Sequence, residues 1–168
     1  MREYGPRLLV TRETPGMEEN VTGTASVDIN CPIEDAFAAV SDVTRMGEWS
    51  PETTGARWVD VDGPAAGAAF AGDNEARLGP VVLKRWTTTS VVTECESPNV
   101  FAFLSEETTY WRYEFTAIDG GTRVTESFSF PPVGGLQRVL YNALGNRRKQ
   151  IIRGMESTLA AVKSALES

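Results

Sequence analysis

The stretch "ASVDINCPIEDAFAAVSDVTRMGEWSP", Ala25 to Pro51, decides the fold. Its first residues continue an alternation of apolar and polar side chains that begins at Val21. Alternation with a period of two is typical of a strand that is buried on one face only. The stretch therefore opens with a strand whose apolar face includes Val27 and Ile29.

The middle of the same stretch predicts a helix. Pro32 suits a first helical position, and Glu34 and Asp35 fall in the first turn, where the helix dipole favours carboxylates. Apolar side chains then recur at helical spacing, and the helix is expected to end near Ser41. A second short turn of helix is predicted for residues 43–48.

Trp49 follows, in a segment rich in Pro and Gly that is expected to be a loop. An indole is costly to leave in water, so Trp49 needs either a ligand or the core to cover it. Two interpretations are open: Trp49 caps a bound apolar molecule at a cavity mouth, or it anchors the loop onto the core. Trp58, further along, is expected on a strand as a core or outer-surface residue.

Downstream of the loop, strand-like runs alternate with turn signals, and a long amphipathic helix ends the chain. Two of these runs flank the tight turn Asp119–Gly121 and predict a hairpin. The predicted strands are "GARWVDVD", "GAAFAGDNEA", "VVLKRWTTTSVVTEC", "VFAFLS", "TTYWRYEFTAI" and "TRVTESFSF". The helix is expected at 146–165, after a loosely helical lead-in, and residues 1–20 read as an N-terminal extension with a short strand near 7–12.

Six or seven antiparallel strands twist too strongly to stay flat, and only one long helix is present to cover them. The sequence thus predicts an α+β fold in which a curved antiparallel sheet wraps around the C-terminal helix, with two short helices after the first strand. The helix fills part of the concavity, and a cavity is expected in the remainder. Residues 21–168 form one domain in this interpretation.

This order of elements resembles the helix-grip fold of the SRPBCC superfamily, which includes START domains and the birch-pollen-allergen family. Within it, the chain is similar to the bacterial polyketide cyclase/dehydrase and lipid transport group. The resemblance rests on the opening stretch and on "GAAFAGDN", "RWTTTSVV", "FAF" and "WRYEFTAIDGGTRVTESFSF" before a long terminal helix. It implies a cavity for small apolar molecules, with the Trp49 loop at its mouth. It leaves the function open, because one fold hosts many functions.

Composition excludes several classes of function. The net charge of −7 disfavours nucleic acid, although a basic run (Arg147, Arg148, Lys149 and Arg153) would steer an anion or simply form a solvated helix face. The absence of His removes the commonest general base and most zinc sites, so neither a metal nor another cofactor is expected. No secretory signal or membrane-inserting segment stands out, and two Cys fit a cytoplasmic protein. A homodimer stays open.

Glu126 is the first candidate for chemistry, because it shares a strand face with Val124, Phe128 and Phe130. Burial among these groups would raise the pKa of its carboxyl toward neutrality and make it an acid–base catalyst. The alternatives are a buried ion pair with an arginine, or an outward register. Tyr113 lies on a comparable face, and its hydroxyl would bond either a ligand or Glu126.

Other candidates depend on strand facing. Arg85 and Trp86 are neighbours, so only one of them faces inward: Arg85 as a catalytic group that orients a carbonyl, or Trp86 as a cavity wall. Asn74 would bond a ligand oxygen or serve a turn, and Glu52 lies near the mouth. The predicted apolar lining comprises Phe37, Trp49, Phe70, Trp86, Phe101, Phe103, Trp111, Phe128, Leu140 and Leu144.

Three functions fit these residues. The first is a cyclase that folds a poly-β-ketone and closes it by aldol chemistry, with Glu126, Tyr113 and Arg85 as its polar groups. The second is a carrier of a lipid, quinone or other apolar metabolite without turnover. The third is a protein-interaction module, which ranks last because no exposed apolar stripe stands out.

Overall fold

A computed structural model describes residues 20–59, 61–132 and 147–168. These residues form seven strands and three α-helices, with a short 3-10 turn before α2. In chain order they are β1 Val21–Ile29, α1 Ile33–Ser41, the 3-10 turn Val43–Arg45, α2 Met46–Trp49, β2 Thr53–Trp58, β3 Ala69–Leu78, β4 Val81–Glu96, β5 Val100–Ser105, β6 Thr109–Ile118, β7 Gly121–Phe130 and α3 Arg147–Leu166. The predicted N-terminal strand and helical lead-in lie outside the described residues.

All seven strands belong to one antiparallel sheet in the order β1-β7-β6-β5-β4-β3-β2. The first described strand therefore pairs with the last described strand, and Thr24 Oγ1 donates a hydrogen bond to the Glu126 carbonyl across 102 residues of sequence. Strand β4 is 16 residues long and is shared, since its first part pairs with β3 and its last part pairs with β5. The fold is the helix-grip architecture that the sequence predicts.

Helix α3 supplies the apolar face that covers the curved sheet. Met155, Leu159 and Val162 are buried and recur at helical spacing. Gly23 on β1 lets this helix and the sheet approach closely, since a Cβ there would lie 2.5 Å from the Phe128 ring and 3.0 Å from Ile152. The end of the helix at Leu166 agrees with the predicted end to within one residue.

Helix α1 closes the core beside the sheet. Its first turn carries Glu34 and Asp35, and its inner face buries Phe37 and Val40. The Phe37 ring packs edge-on against Phe115 of β6, with 5.4 Å between ring centroids. Such aromatic pairs add to the stabilisation that burial gives. None of the described helices has the length and apolar character needed to cross a membrane.

Candidate functional site

Glu126 lies at the centre of β7, on the face of the sheet that points toward the core. Only 3% of its surface is exposed. Its register partners are Tyr113 on β6 and Ala25 on β1, while Val124 and Phe128 precede and follow it on the same face. The alternation of β7 therefore places one carboxyl group among apolar side chains, as the sequence predicts.

Tyr113 provides the polar contact of this carboxyl. The Tyr113 hydroxyl donates a hydrogen bond of 2.8 Å to Glu126 Oε1. Oε2 is also buried, and no donor or acceptor of the described residues bonds to it. A buried oxygen without a partner is rare in folded proteins, so Oε2 still requires a hydrogen-bond partner beyond those that the described residues supply.

The alternative of an ion pair with arginine is not realised among the described residues. Arg112 and Arg123 belong to the same two strands but lie on the outer face of the sheet. Arg123 binds Asp28 at 2.7 Å, and Arg112 binds Glu114 at 2.5 Å. Strand alternation keeps these guanidinium groups away from the core face that holds Glu126.

Burial raises the pKa of both Glu126 and Tyr113. Desolvation raises the pKa of Glu126 to about 7, partly offset by the hydrogen bond from Tyr113. Burial, together with the neighbouring carboxylate, raises the pKa of Tyr113 well above its ordinary value of 10. Tyr113 thus stays protonated and keeps donating, while Glu126 exchanges its proton near neutral pH.

Aromatic side chains line the same face of the sheet. Phe101 on β5 and Tyr113 on β6 are register partners, and Phe103 is paired with Trp111. Trp111 in turn packs against Phe128, with ring centroids 5.7 Å apart. The predicted lining residues Phe70, Phe101, Phe103 and Phe128 are all buried, and Trp111 is partly buried.

Arg85 does not belong to this site, and its predicted catalytic position is wrong. Its side chain lies exposed on the outer face, where Nε binds Glu75 at 2.7 Å. The neighbouring Trp86 takes the inner face of β4 and is partly buried, with Lys84 Nζ 5.2 Å from the ring centroid. Since adjacent strand residues face opposite ways, the inward Trp86 excludes Arg85.

Asn74 lies on the inner face of β3 rather than in a turn, so the turn alternative is wrong. Its side-chain oxygen accepts from Thr53 Oγ1 at 2.9 Å, and its amide donates to the Gly72 carbonyl at 2.9 Å and to Thr88 Oγ1 at 3.2 Å. These bonds commit the side chain to its neighbours. It is also four strands from Glu126, about 19 Å at the usual spacing between strands.

Trp49 ends helix α2 and is buried in the main core cluster. The predicted loop around it is therefore partly helical. The Arg45 guanidinium lies 4.7 Å from the ring centroid, held there by Glu48 at 2.9 Å. This packing agrees with the anchoring interpretation. Glu52, just beyond, is partly exposed, with an oxygen 3.8 Å from Arg147.

The predicted internal cavity stays a prediction. Leu140 and Leu144, which were expected to line it, lie outside the described residues.

A separate cleft of about 580 Å³ lies beside α1 and was not predicted. Of the residues predicted to line a ligand site, only Phe37 borders it. Residues 34–44, Trp58, the 62–64 segment and Ser97 form its walls, and three of its lining side chains are carboxylates (Glu34, Asp42 and Asp62). Four separate stretches of chain meet here, so no local sequence pattern could have indicated it.

Two further observations concern metal binding and thiol chemistry. Across the described ranges 20–59, 61–132 and 147–168, no three His, Cys, Asp or Glu side chains converge in a way that could hold a metal ion. Cys31 and Cys95 are free thiols, and burial raises the pKa of each. Raised thiol pKa values disfavour nucleophilic thiolates at neutral pH.

The sequence of residues 20–167 matches the family model described as polyketide cyclase / dehydrase and lipid transport. The chain belongs to this family. A solution structure of a Polyketide_cyc-like protein, Cgl2372 from Corynebacterium glutamicum, is similar with 33% sequence identity and a TM-score of 0.60, over 90% of this chain and 94% of that one. No curated protein matches the sequence.

More distant members of the fold are similar in structure alone. The KanY protein (ms6282) has a TM-score of 0.69 with 16% identity, over 89% of this chain and 99% of that one. The di-domain ARO/CYC StfQ, from the steffimycin biosynthetic pathway, has a TM-score of 0.68 with 14% identity. The match covers 89% of this chain and 52% of StfQ, so this chain corresponds to about half of that protein.

Proposed function

We propose that this protein binds a small apolar molecule bearing carbonyl groups on the core face of the sheet, and that Glu126 transfers protons in an aldol-type cyclisation and dehydration of that molecule. The observation that carries the proposal is the buried Glu126 carboxyl, with Oε1 bonded to Tyr113 and Oε2 without a partner among the described residues. The family and the ARO/CYC structural relatives add support.

The chemistry needs one group that both accepts and returns a proton. Ionised Glu126 removes a proton from a methylene between two carbonyl groups, and the resulting enolate carbon attacks a second carbonyl carbon of the same molecule. The protonated carboxyl then returns the proton to the new alkoxide oxygen. Dehydration repeats the exchange: a second α-proton leaves with the hydroxyl group as water, and no oxidant is required.

Tyr113 has a positioning role in this scheme. Its hydroxyl fixes Oε1 and so directs Oε2 toward the bound molecule. The hydrogen bond also lowers the pKa of Glu126 against the effect of burial. A carboxyl with a pKa of about 7 is both a competent base and a competent acid at neutral pH.

A carrier without turnover is the second candidate. The same Oε2 oxygen, when protonated, would donate a hydrogen bond to a carbonyl or hydroxyl of an apolar ligand. One orienting polar group in an otherwise apolar lining is typical of such sites. Lipid transport, which the family description also names, agrees with this alternative.

The Glu126→Gln variant separates the two candidates, because the amide keeps an acceptor for Tyr113 and loses the titratable proton. The assay follows closure of a synthetic linear poly-β-ketone by the absorption of its aromatic product, with binding of the same compound measured by calorimetry. For the cyclase, we expect kcat to fall by about 10²–10⁴ and the Kd to change less than threefold.

Glu114→Gln is the matched control, because Glu114 is adjacent to Tyr113 on the opposite face of β6 and is exposed. It should retain full activity. Wild-type turnover in Glu126→Gln would refute the catalytic role. Binding without any turnover in the wild type, accompanied by a ligand of discrete mass in the native mass spectrum, would favour the carrier.

A further inference from the structure

Strands β3 and β4 extend beyond their neighbours and form a projecting arm, residues 76–88. On one side, β2 stops at the pair Thr53–Asn74, and Glu75 N–H bonds to the Glu52 carbonyl. On the other side, β5 stops at the pair Ser105–Ser90. Within the described ranges, residues 76–84 therefore pair only with one another, and residues 85–88 pair only with residues 72–75 of β3. At about 3.3 Å per residue, Val81 lies about 30 Å along β4 from the end of β5.

The tip of the arm is apolar and exposed. Leu78 and Val81 are register partners beside the Gly79–Pro80 turn, and Leu83 lies at a bulge in the same hairpin. Their exposed fractions are 71%, 57% and 64%. Three large aliphatic side chains at one projecting tip are unfavourable in water, because each leaves more than half of its surface unburied. This cluster points to a contact that covers it.

The charge of the arm is opposite to that of the rest of the molecule. The arm contains Arg77, Lys84 and Arg85 and no carboxylate, a total of +3. Since the whole chain carries −7, the remaining 155 residues total −10. Glu75, at the root of the arm, binds Arg77 at 2.5 Å and Arg85 at 2.7 Å.

Basic residues of α3 lie at the same end of the sheet. Arg147 is 3.8 Å from Glu52, and Arg148 Nε donates to the Thr22 carbonyl at 2.6 Å. The acidic β5–β6 turn also lies at this end. Its residue Glu106 bonds to the backbone of Thr89, so the arm projects past it. The positive arm thus extends beyond β2, β5 and the acidic β5–β6 turn.

We propose that the arm docks onto the surface of an anionic phospholipid bilayer. An apolar tip flanked by cations binds such surfaces through shallow burial of the tip and attraction to the headgroups. Trp86, at the root beneath Lys84, occupies the level at which indoles favour the membrane interface. The docking is peripheral and separate from the chemistry at Glu126.

A second copy of the chain is the competing occupant, and the size of the tip argues against it. A stable protein–protein interface buries about 800 Å² per partner. Three side chains on a two-stranded ribbon offer much less, and two copies of net charge −7 repel one another. A bilayer requires only a few inserted side chains and nearby cations.

Flotation of the full chain with vesicles tests the docking. The vesicles contain phosphatidylcholine alone, or phosphatidylcholine with 30% phosphatidylglycerol. The wild type should bind the anionic vesicles at least tenfold more tightly than the neutral ones, and added NaCl should weaken that binding. Leu78→Ser/Leu83→Ser should lose at least tenfold in affinity, as should Lys84→Gln/Arg85→Gln.

The matched controls are substitutions of exposed residues outside the arm. Val59→Ser/Val91→Ser removes exposed apolar side chains, and Arg57→Gln removes an exposed cation. Both should bind anionic vesicles within twofold of the wild type, and every variant should show the wild-type circular dichroism spectrum.

Three results would overturn the proposal. The first is no flotation with anionic vesicles at low ionic strength. The second is wild-type binding by both arm variants. The third is a combined result: light scattering shows a wild-type dimer, the arm variants are monomers, and neither the wild type nor any variant floats with the vesicles. That result would assign the arm to an interface between copies of the chain.

Discussion

Replacing Glu126 with Gln should stabilise the folded protein at alkaline pH, although the residue lies in the core. The native carboxyl has its pKa raised from 4.5 to about 7 by burial. In the unfolded chain the group ionises near its ordinary value. Between these two values the native state holds a proton that the unfolded state has released. The free energy of unfolding therefore falls as pH rises through this window, and levels off above it.

The pKa difference sets the size of the effect. At 1.36 kcal/mol per pKa unit, the wild type loses about 3 kcal/mol between pH 4 and pH 8 through this residue. Gln mimics the protonated acid, accepts from Tyr113 in the same way, and does not titrate. The two proteins should thus differ little at pH 4–5, and the variant should be more stable by about 3 kcal/mol at pH 8.

Urea unfolding followed by circular dichroism, at intervals from pH 4.5 to pH 8.5, measures this difference directly. The wild-type-minus-variant difference cancels the titration of all other groups. Glu156→Gln, an exposed substitution on α3, serves as the control for replacing a carboxyl with an amide. A difference for Glu126→Gln that is constant across the pH range would refute the reasoning, because the carboxyl would then titrate alike in both states.

Two more predictions concern the hairpin of β6 and β7, which carries Tyr113, Gly121 and Glu126. Tyr113→Phe removes the hydrogen bond that lowers the pKa of Glu126, so the midpoint of the pH dependence of stability should move above pH 7; an unchanged or lower midpoint would contradict the assigned bond. Gly121→Ala should cost about 1–3 kcal/mol of unfolding free energy in urea titrations, because its Cβ would lie 2.1 Å from the Ile29 carbonyl oxygen. Gly55→Ala, with open space around it, should stay within about 0.5 kcal/mol, and equal losses at both sites would dispute the β1–β7 register.

The Glu126–Tyr113 contact illustrates how far the sequence reaches. Alternation alone assigns both residues to apolar strand faces. The tight turn then fixes the register, because pairing Ile118 with Gly121 brings Tyr113 opposite Glu126. A short turn sets the register of its two strands, so the Glu126–Tyr113 pair can be predicted from the local sequence.

Arg85 and Trp86 show a feature that the local sequence does not determine, namely which of two neighbouring side chains faces the core. The residues at alternate positions around each of them are mixtures of polar and apolar types, so periodicity does not choose a face. The choice depends on the bulge at Leu83 of β4 and on partners such as Glu75, which lies on another strand. The cleft beside α1 was not predicted for a similar reason, since its walls come from separate segments of the chain.

The pairing of β1 with β7 has a consequence for how the chain folds. Val27 and Val124 are register partners, yet almost a hundred residues separate them, and such long-range pairing slows folding. During synthesis, β1 leaves the ribosome long before β7 has been made. Until then, β1 has no partner strand at this edge, and its apolar face stays exposed. The strand that carries Glu126 is thus the one that completes the sheet, and a chain truncated before it should populate aggregation-prone species.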